Sequence, residues 1–116
     1  MSTGISNGNV AGSYLIRASL TPAATAAATA VEQTFTVAST GNNVGLQSLR
    51  VGDFVTINPP SITAGVGIVG ARVSAAGTLA ITFSNSTAGS LTAPAGVYVI
   101  KVDRPESTPL PITIID

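Results

Sequence analysis

Apolar and polar residues alternate with a period of two through most of this chain, and the clearest case is the run Gly65–Ala75 followed by Thr78–Ser84. If Ala75-Ala76-Gly77 forms a three-residue loop, Ser74 faces Thr78. Counting outward then sets Val73 against Leu79, Ala71 against Ile81 and Val69 against Phe83, six apolar residues on one face. Arg72 with Ala80, Gly70 with Thr82 and Ile68 with Ser84 occupy the other face. Side chains alternate across a strand, so a slip of one residue would scramble this sorting. Glycine at the third loop position suits the left-handed bulge residue of such a hairpin.

The same periodicity predicts further strands. Ser13–Leu20 places Tyr14, Ile16, Ala18 and Leu20 on one side and Leu15, Arg17 and Ser19 on the other. Thr21–Ala30 is an alanine-rich loop leading into a strand. Val31–Ala38 directs Val31, Phe35 and Val37 inward, with Gln33 an exception on that face. Gly45–Arg50 reads as a short helical turn, and Val51-Gly52-Asp53 as a turn feeding the strand Phe54–Asn58. Pro59-Pro60 ends that strand, because neither proline can donate a ladder bond. Val97–Val102 is almost continuously apolar, as expected of a central strand. Pro105–Pro111 breaks the chain before a last short strand, Ile112–Ile115. These elements predict an all-β fold, a single β-sandwich or small barrel of about seven short, mainly antiparallel strands. The domain spans residues 13–102, between an N-terminal arm (1–12) and a C-terminal extension (103–116).

Composition supports this class. Valine, isoleucine and threonine together supply 37 residues, and all favour strands. Charge is scarce: five basic residues balance five acidic ones, 9% of the chain in all. Soluble designed surfaces usually carry roughly 25–35% charged residues, so either Ser, Thr and Asn keep a neutral surface soluble or, the favoured reading, much of the surface is covered by other subunits. A net charge of zero removes the electrostatic footprint of a nucleic-acid binder. Neither cysteine nor histidine is present, which excludes disulfides, thiolate chemistry and the commonest metal ligand and general base. No secretion signal is read at the start, since the first eleven residues lack Lys and Arg and Arg17 interrupts the run that follows. No apolar stretch has the length of a membrane span.

Candidate chemistry is thin. Gly65–Gly70 matches G-x-G-x-x-G, but it runs into a strand, and no acidic residue lies between Asp53 and Asp103. A dinucleotide site needs a helix and a later acid, so the glycines are assigned to strand packing. Asn85-Ser86-Thr87 is a glycosylation sequon by letter and a plain loop by context. The serines have no histidine to activate them, and Asp103-Arg104 reads as a solvated strand end. No enzymatic activity, cofactor or metal is expected. Arg50 and Arg72 are candidate interface salt-bridge donors, or else solvated arginines. Ile5 and Val10 in the arm and Leu110, Ile112 and Ile114 in the tail are candidate partner contacts. The tail's short strand could add to the sheet edge of another subunit or complete its own sheet.

Three segments carry a resemblance: Val31–Val37 (VEQTFTV), Leu49–Val55 (LRVGDFV) and Val66–Thr87 (VGIVGARVSAAGTLAITFSNST). With Val97–Val102 they resemble a family of small tailed-bacteriophage virion proteins of the capsid decoration (cement) and head-fibre type. The resemblance spans roughly residues 21–102. The chain departs from the family in a longer Ala38–Gln47 connection and in its Asp103–Asp116 tail. The resemblance implies a β-sandwich with a structural role and no catalytic residues. The implied protein is a capsid decoration subunit on the virion surface, associating with itself as a trimer or dimer and with the major capsid protein. A tail-fibre or receptor-binding module of the virion is the alternative. A carbohydrate-binding β-sandwich ranks below both, because few aromatics are available to stack on sugars.

Overall fold

The computed structural model describes residues 10–41 and 43–105. Eight strands are present among them: β1 (Val10–Leu20), β2 (Ala24–Thr25), β3 (Thr29–Phe35), β4 (Phe54–Asn58), β5 (Val66–Ala75), β6 (Thr78–Asn85), β7 (Leu91–Thr92) and β8 (Gly96–Pro105). All pairings are antiparallel. One sheet has the order β1-β8-β4 and a second the order β3-β6-β5, with β2 and β7 forming a small ladder of their own. The all-β expectation holds. Pairing also extends past the expected domain limits at both ends, since Val10 is in register with Pro105.

Each large sheet contributes one face to a single core. Ile16, Ala18 and Leu20 of β1 and Tyr98, Ile100 and Val102 of β8 meet Phe35, Val73, Leu79, Ile81 and Phe83 from the other sheet. The inward residues of Ser13–Leu20 are thus those its alternation predicts. β8 is central, as its apolar run predicts. Val31, however, is exposed, against expectation. It lies on an edge strand opposite Phe83, near the end of the sheet, where the facing layer no longer covers it. Gln33 is explained: its side chain accepts from the Ala23 N–H at 2.8 Å and donates to the Ala23 carbonyl at 2.9 Å, acting as a mock strand partner.

The hairpin keeps its predicted register near the loop and loses it further out. Val73↔Leu79, Arg72↔Ala80, Ala71↔Ile81 and Gly70↔Thr82 pair as expected. Ala75 rather than Ser74 pairs with Thr78, so the ladder treats Ser74 as an extra residue. A second irregularity sets Ile68, not Val69, against Phe83 and turns Val69 out to solvent. A bulge on one strand shifts every later residue to the opposite face, which is why simple counting fails beyond Gly70. Gly77 adopts φ +73°, as the loop requires, and its N–H donates to the Leu49 carbonyl at 2.9 Å. Gly77→Val should therefore cost about 1–2 kcal/mol or more, because a β-branched side chain resists the left-handed region. Chemical denaturation of the variant measures this.

The predicted helical turn is a 3₁₀ turn over Val44–Ser48. It packs its buried Leu46 into the core, and the connection is anchored to β1 by Asn43. The Asn43 amide accepts from the Ser19 N–H at 2.9 Å and donates to the Ser19 carbonyl at 2.7 Å.

Candidate interaction surface

The outer face of the β1-β8-β4 sheet is built by the residues that alternate with the core. Across its rows run Ser13–Asp103–Phe54, Leu15–Lys101–Thr56 and Arg17–Val99–Asn58, followed by Ser19–Val97. Phe54 is 68% exposed, Leu15 59% and Val97 49%. The near-continuous apolar run of β8 is therefore only half used by the core: Tyr98, Ile100 and Val102 are buried, while Val97 and Val99 face outward. Water gains nothing from these side chains, and a partner would.

One end of this face is fixed by a polar cluster that periodicity did not reveal. Asp53, on the turn before β4, is buried. Its carboxylate accepts from Arg104 Nε at 2.9 Å, Arg104 Nη2 at 2.8 Å and the Arg50 N–H at 3.0 Å. Arg104 also donates to the Ser48 carbonyl and the Tyr14 hydroxyl, and its guanidinium lies 5.7 Å from the Tyr14 ring centre. The Arg104 hydrogen bonds hold the Asp53 carboxyl below the usual carboxylate range, aided by the Arg50 N–H and opposed by burial. Arg104 is correspondingly pushed up by Asp53. This corrects the reading of Asp103-Arg104 as a solvated strand end. Arg104 ties β8 to β1, to the 3₁₀ turn and to the β4 turn, while Asp103 accepts from the Ser13 hydroxyl at 2.8 Å. The cluster sits where Val10 and Pro105 pair, so residues 1–9 and 106–116 attach at the same end of the sheet.

The other predicted residues are dispersed. Arg72 makes a two-pronged ion pair with Glu32 at 2.8 and 2.9 Å, spanning β6 on the outer face of the second sheet. Arg72 is thereby committed within the subunit and is not a spare interface donor. Each partner shifts the other toward its charged form through this hydrogen bond. Arg50 contributes main-chain bonds to the Asp53 turn and keeps an exposed side chain. Val10 enters through its main-chain pairing alone. Ile5, Leu110, Ile112 and Ile114 lie outside the described residues.

Two concavities lie elsewhere on the molecule, one toward the core side of this sheet and one along its β1 edge. An apolar cavity of about 290 Å³ opens between the β4–β5 connection and β8, lined by Ile57, Ile62, Val66, Ile68, Phe83 and Tyr98 among others. The Tyr98 hydroxyl is occupied by the Pro94 carbonyl at 2.6 Å and burial raises its pKa, so it offers no free base there. A shallow groove follows the free edge of β1 between Leu15 and the 3₁₀ turn, with Val44 on its wall.

The remaining motifs are structural. Gly65-Val66-Gly67-Ile68-Val69-Gly70 leads into β5 with no helix behind it. Asn85 of the sequon is buried. Its amide donates to the Thr25 and Gly89 carbonyls, and its oxygen accepts from the Thr87 N–H and hydroxyl. A side chain with all its groups so engaged is a loop organiser rather than a modification acceptor. No cluster of three or more metal-binding side chains and no membrane-spanning helix occurs among the described residues. Comparison of the chain with family profiles, curated proteins and solved structures finds no match.

Proposed function

We propose that this chain is a structural virion protein, a capsid decoration (cement) subunit that associates with itself and bridges major capsid subunits on the phage head. The observation that carries the reading is the outer face of β1-β8-β4, where Phe54, Leu15 and Val97 stand exposed on a regular sheet. The segments that resemble phage virion proteins occupy β3, the Asp53 turn and the β5–β6 hairpin, so the resemblance follows the scaffold that holds this face.

The role is mechanical. Packaged DNA pushes capsid subunits apart, and a subunit seated across their seam must lose its buried area before the seam can open. A specific contact of this kind buries roughly 1,600 Å² in total. The face sets the apolar Leu15, Phe54, Val97 and Val99 among Arg17, Lys101 and Asp103, so a partner that covers it must both bury the apolar side chains and pair these charges.

Binding to purified heads that lack the protein tests this. The wild type should bind and raise the temperature at which the heads rupture. Phe54→Lys, which faces Asp103, and Val97→Lys, both at exposed positions, should melt like the wild type but lose at least tenfold in head binding. Failure of the wild type to bind heads, or full binding by both variants, removes the proposal.

A further inference from the structure

The free edge of β1 has a defined length and a defined centre. Ser19 directs its N–H and C=O away from β8, because both are taken by Asn43. In an antiparallel pair this orientation recurs at every second residue. The main-chain groups of Arg17, Leu15 and Ser13 therefore point outward as well, and among the described residues β1 has no strand on that side. The Asn43 amide ends the open stretch above Arg17. The irregularity in pairing between Val10 and Gly12 ends it below Ser13. What remains is Ser13–Arg17, with Leu15 at its middle.

We propose that this edge pairs with the same edge of a second copy, β1 antiparallel to β1 about a two-fold axis at Leu15. The two sheets then join as β4-β8-β1 continued by the partner's β1-β8-β4. In this register Leu15 meets Leu15, Ser13 meets Arg17 and Arg17 meets Ser13. All three outward positions on each strand find partners, giving about six main-chain bonds. Shifting the register by two residues leaves one of the three unpaired or drives a strand end into the Asn43 cap.

The side chains agree with this register. Leu15, 59% exposed, would lose its water to its own symmetry mate, with the Lys101 stems flanking the pair. Arg17 of each copy would lie over the small Ser13 of the other. Beyond Ser13 in the same row is Asp103, which the Ser13 hydroxyl already contacts at 2.8 Å. The contact thus brings a cation from each copy toward an anion of the other. The 3₁₀ turn does not close the edge: it packs on the inward side chains of β1, Gly45 against Ile16 and Ser48 against Tyr14. Its exposed Val44 walls the groove the second strand would enter. An uncovered edge is a liability that proteins usually blunt, and here the blunting stops at Ser19.

This pairing does not depend on the capsid reading and is tested without capsids. The chain has no cysteine, so Leu15→Cys introduces a single thiol. Directly paired residues of this kind have Cα atoms about 5.5 Å apart, within disulfide range. Mild oxidation of the full chain should convert Leu15→Cys to a covalent dimer at least tenfold faster than Val51→Cys, an exposed control on the β4 turn. Sedimentation of the wild type at roughly 100 µM, a level suited to a small interface, should show a dimer. Leu15→Lys should shift dissociation at least tenfold toward monomer by setting like charges face to face. Arg17→Asp should do the same, and Arg17→Asp combined with Asp103→Arg should restore the dimer. A monomeric wild type, equal cross-linking at residues 15 and 51, or a dimer indifferent to Leu15→Lys overturns the pairing. So does a monomer whose Leu15 and Arg17 amides are protected from hydrogen exchange, because the edge would then belong to another segment of the same chain.

Discussion

Asp53→Ala is expected to lower stability by about 2–3 kcal/mol, from the loss of charged hydrogen bonds at a buried carboxylate. For a domain of this size that is a fall in melting temperature of roughly 10 °C. The side chain of Asp53 is 2% exposed and that of Arg104 is 31% exposed. Removing the acid leaves the Arg50 N–H and Arg104 Nε without an acceptor, while Arg104 Nη2 keeps only the Ser48 carbonyl and the Tyr14 hydroxyl. The same interaction sets the response to acid. The folded pKa of Asp53 lies below its ordinary value, so its contribution is fully present above pH ~4. It is lost as pH falls through the lowered folded value. The wild type should lose stability along that acid limb, and Asp53→Asn should start lower and flatten it. Glu32 is shifted in the same direction, chiefly by its hydrogen bond to Arg72. That pair is exposed and screened by solvent, so Glu32→Gln should leave most of the limb intact. A melting series from pH 7 to acid distinguishes the three proteins, and an Asp53→Asn profile parallel to the wild type would contradict the assignment.

Gly65→Ala should cost about 3 kcal/mol, combining backbone strain with overpacking. Gly65 has φ +92°, and a Cβ there would overlap Thr87 Cγ2 and stand 3.1 Å from Leu91 Cδ1. Thr87 cannot simply rotate away. Its hydroxyl donates to the Asn85 amide oxygen at 2.7 Å and reaches the Gly89 carbonyl at 2.9 Å, which fixes its rotamer. Thr87→Ser deletes the methyl group and keeps the hydroxyl. The double variant should therefore recover the steric part, a coupling of about 1–2 kcal/mol, and keep the backbone part. Additive losses in a double-mutant cycle would mean that strain at φ alone accounts for the cost.

These predictions bear on the scaffold, and the scaffold carries the proposed function. The Asp53–Arg104 cluster ties β8, β1 and the β4 turn together at one end of the sheet whose outer face carries Phe54 and Val97. Loss of head binding in an Asp53 variant would therefore report on stability. Phe54→Lys and Val97→Lys report on the surface itself, since neither side chain contributes to the core.

Alternation along the chain determined much of this protein by itself. The inward set Ile16, Ala18 and Leu20, the central place of Val97–Val102, the stop at Pro59-Pro60 and the left-handed Gly77 were all legible, because each follows from a period of two or from one residue's φ. What the sequence could not express were events between strands distant along the chain. Asp53 and Arg104 are fifty-one residues apart, and only the pairing of β4 with β8 makes them neighbours. Arg72 was singled out, but its capture by Glu32 needed β6 between them as a ruler. The irregularities at Val69 and Ser74 obey no periodicity, since a bulge resets the count from which periodicity is read. Phe54 lies outside by its register, opposite Asp103, which the residue's chemistry alone does not express. Sequence thus determined which residues can alternate into a sandwich. Tertiary structure decided which edge stayed open and which apolar side chains were left over, because both depend on how the sheets cover one another.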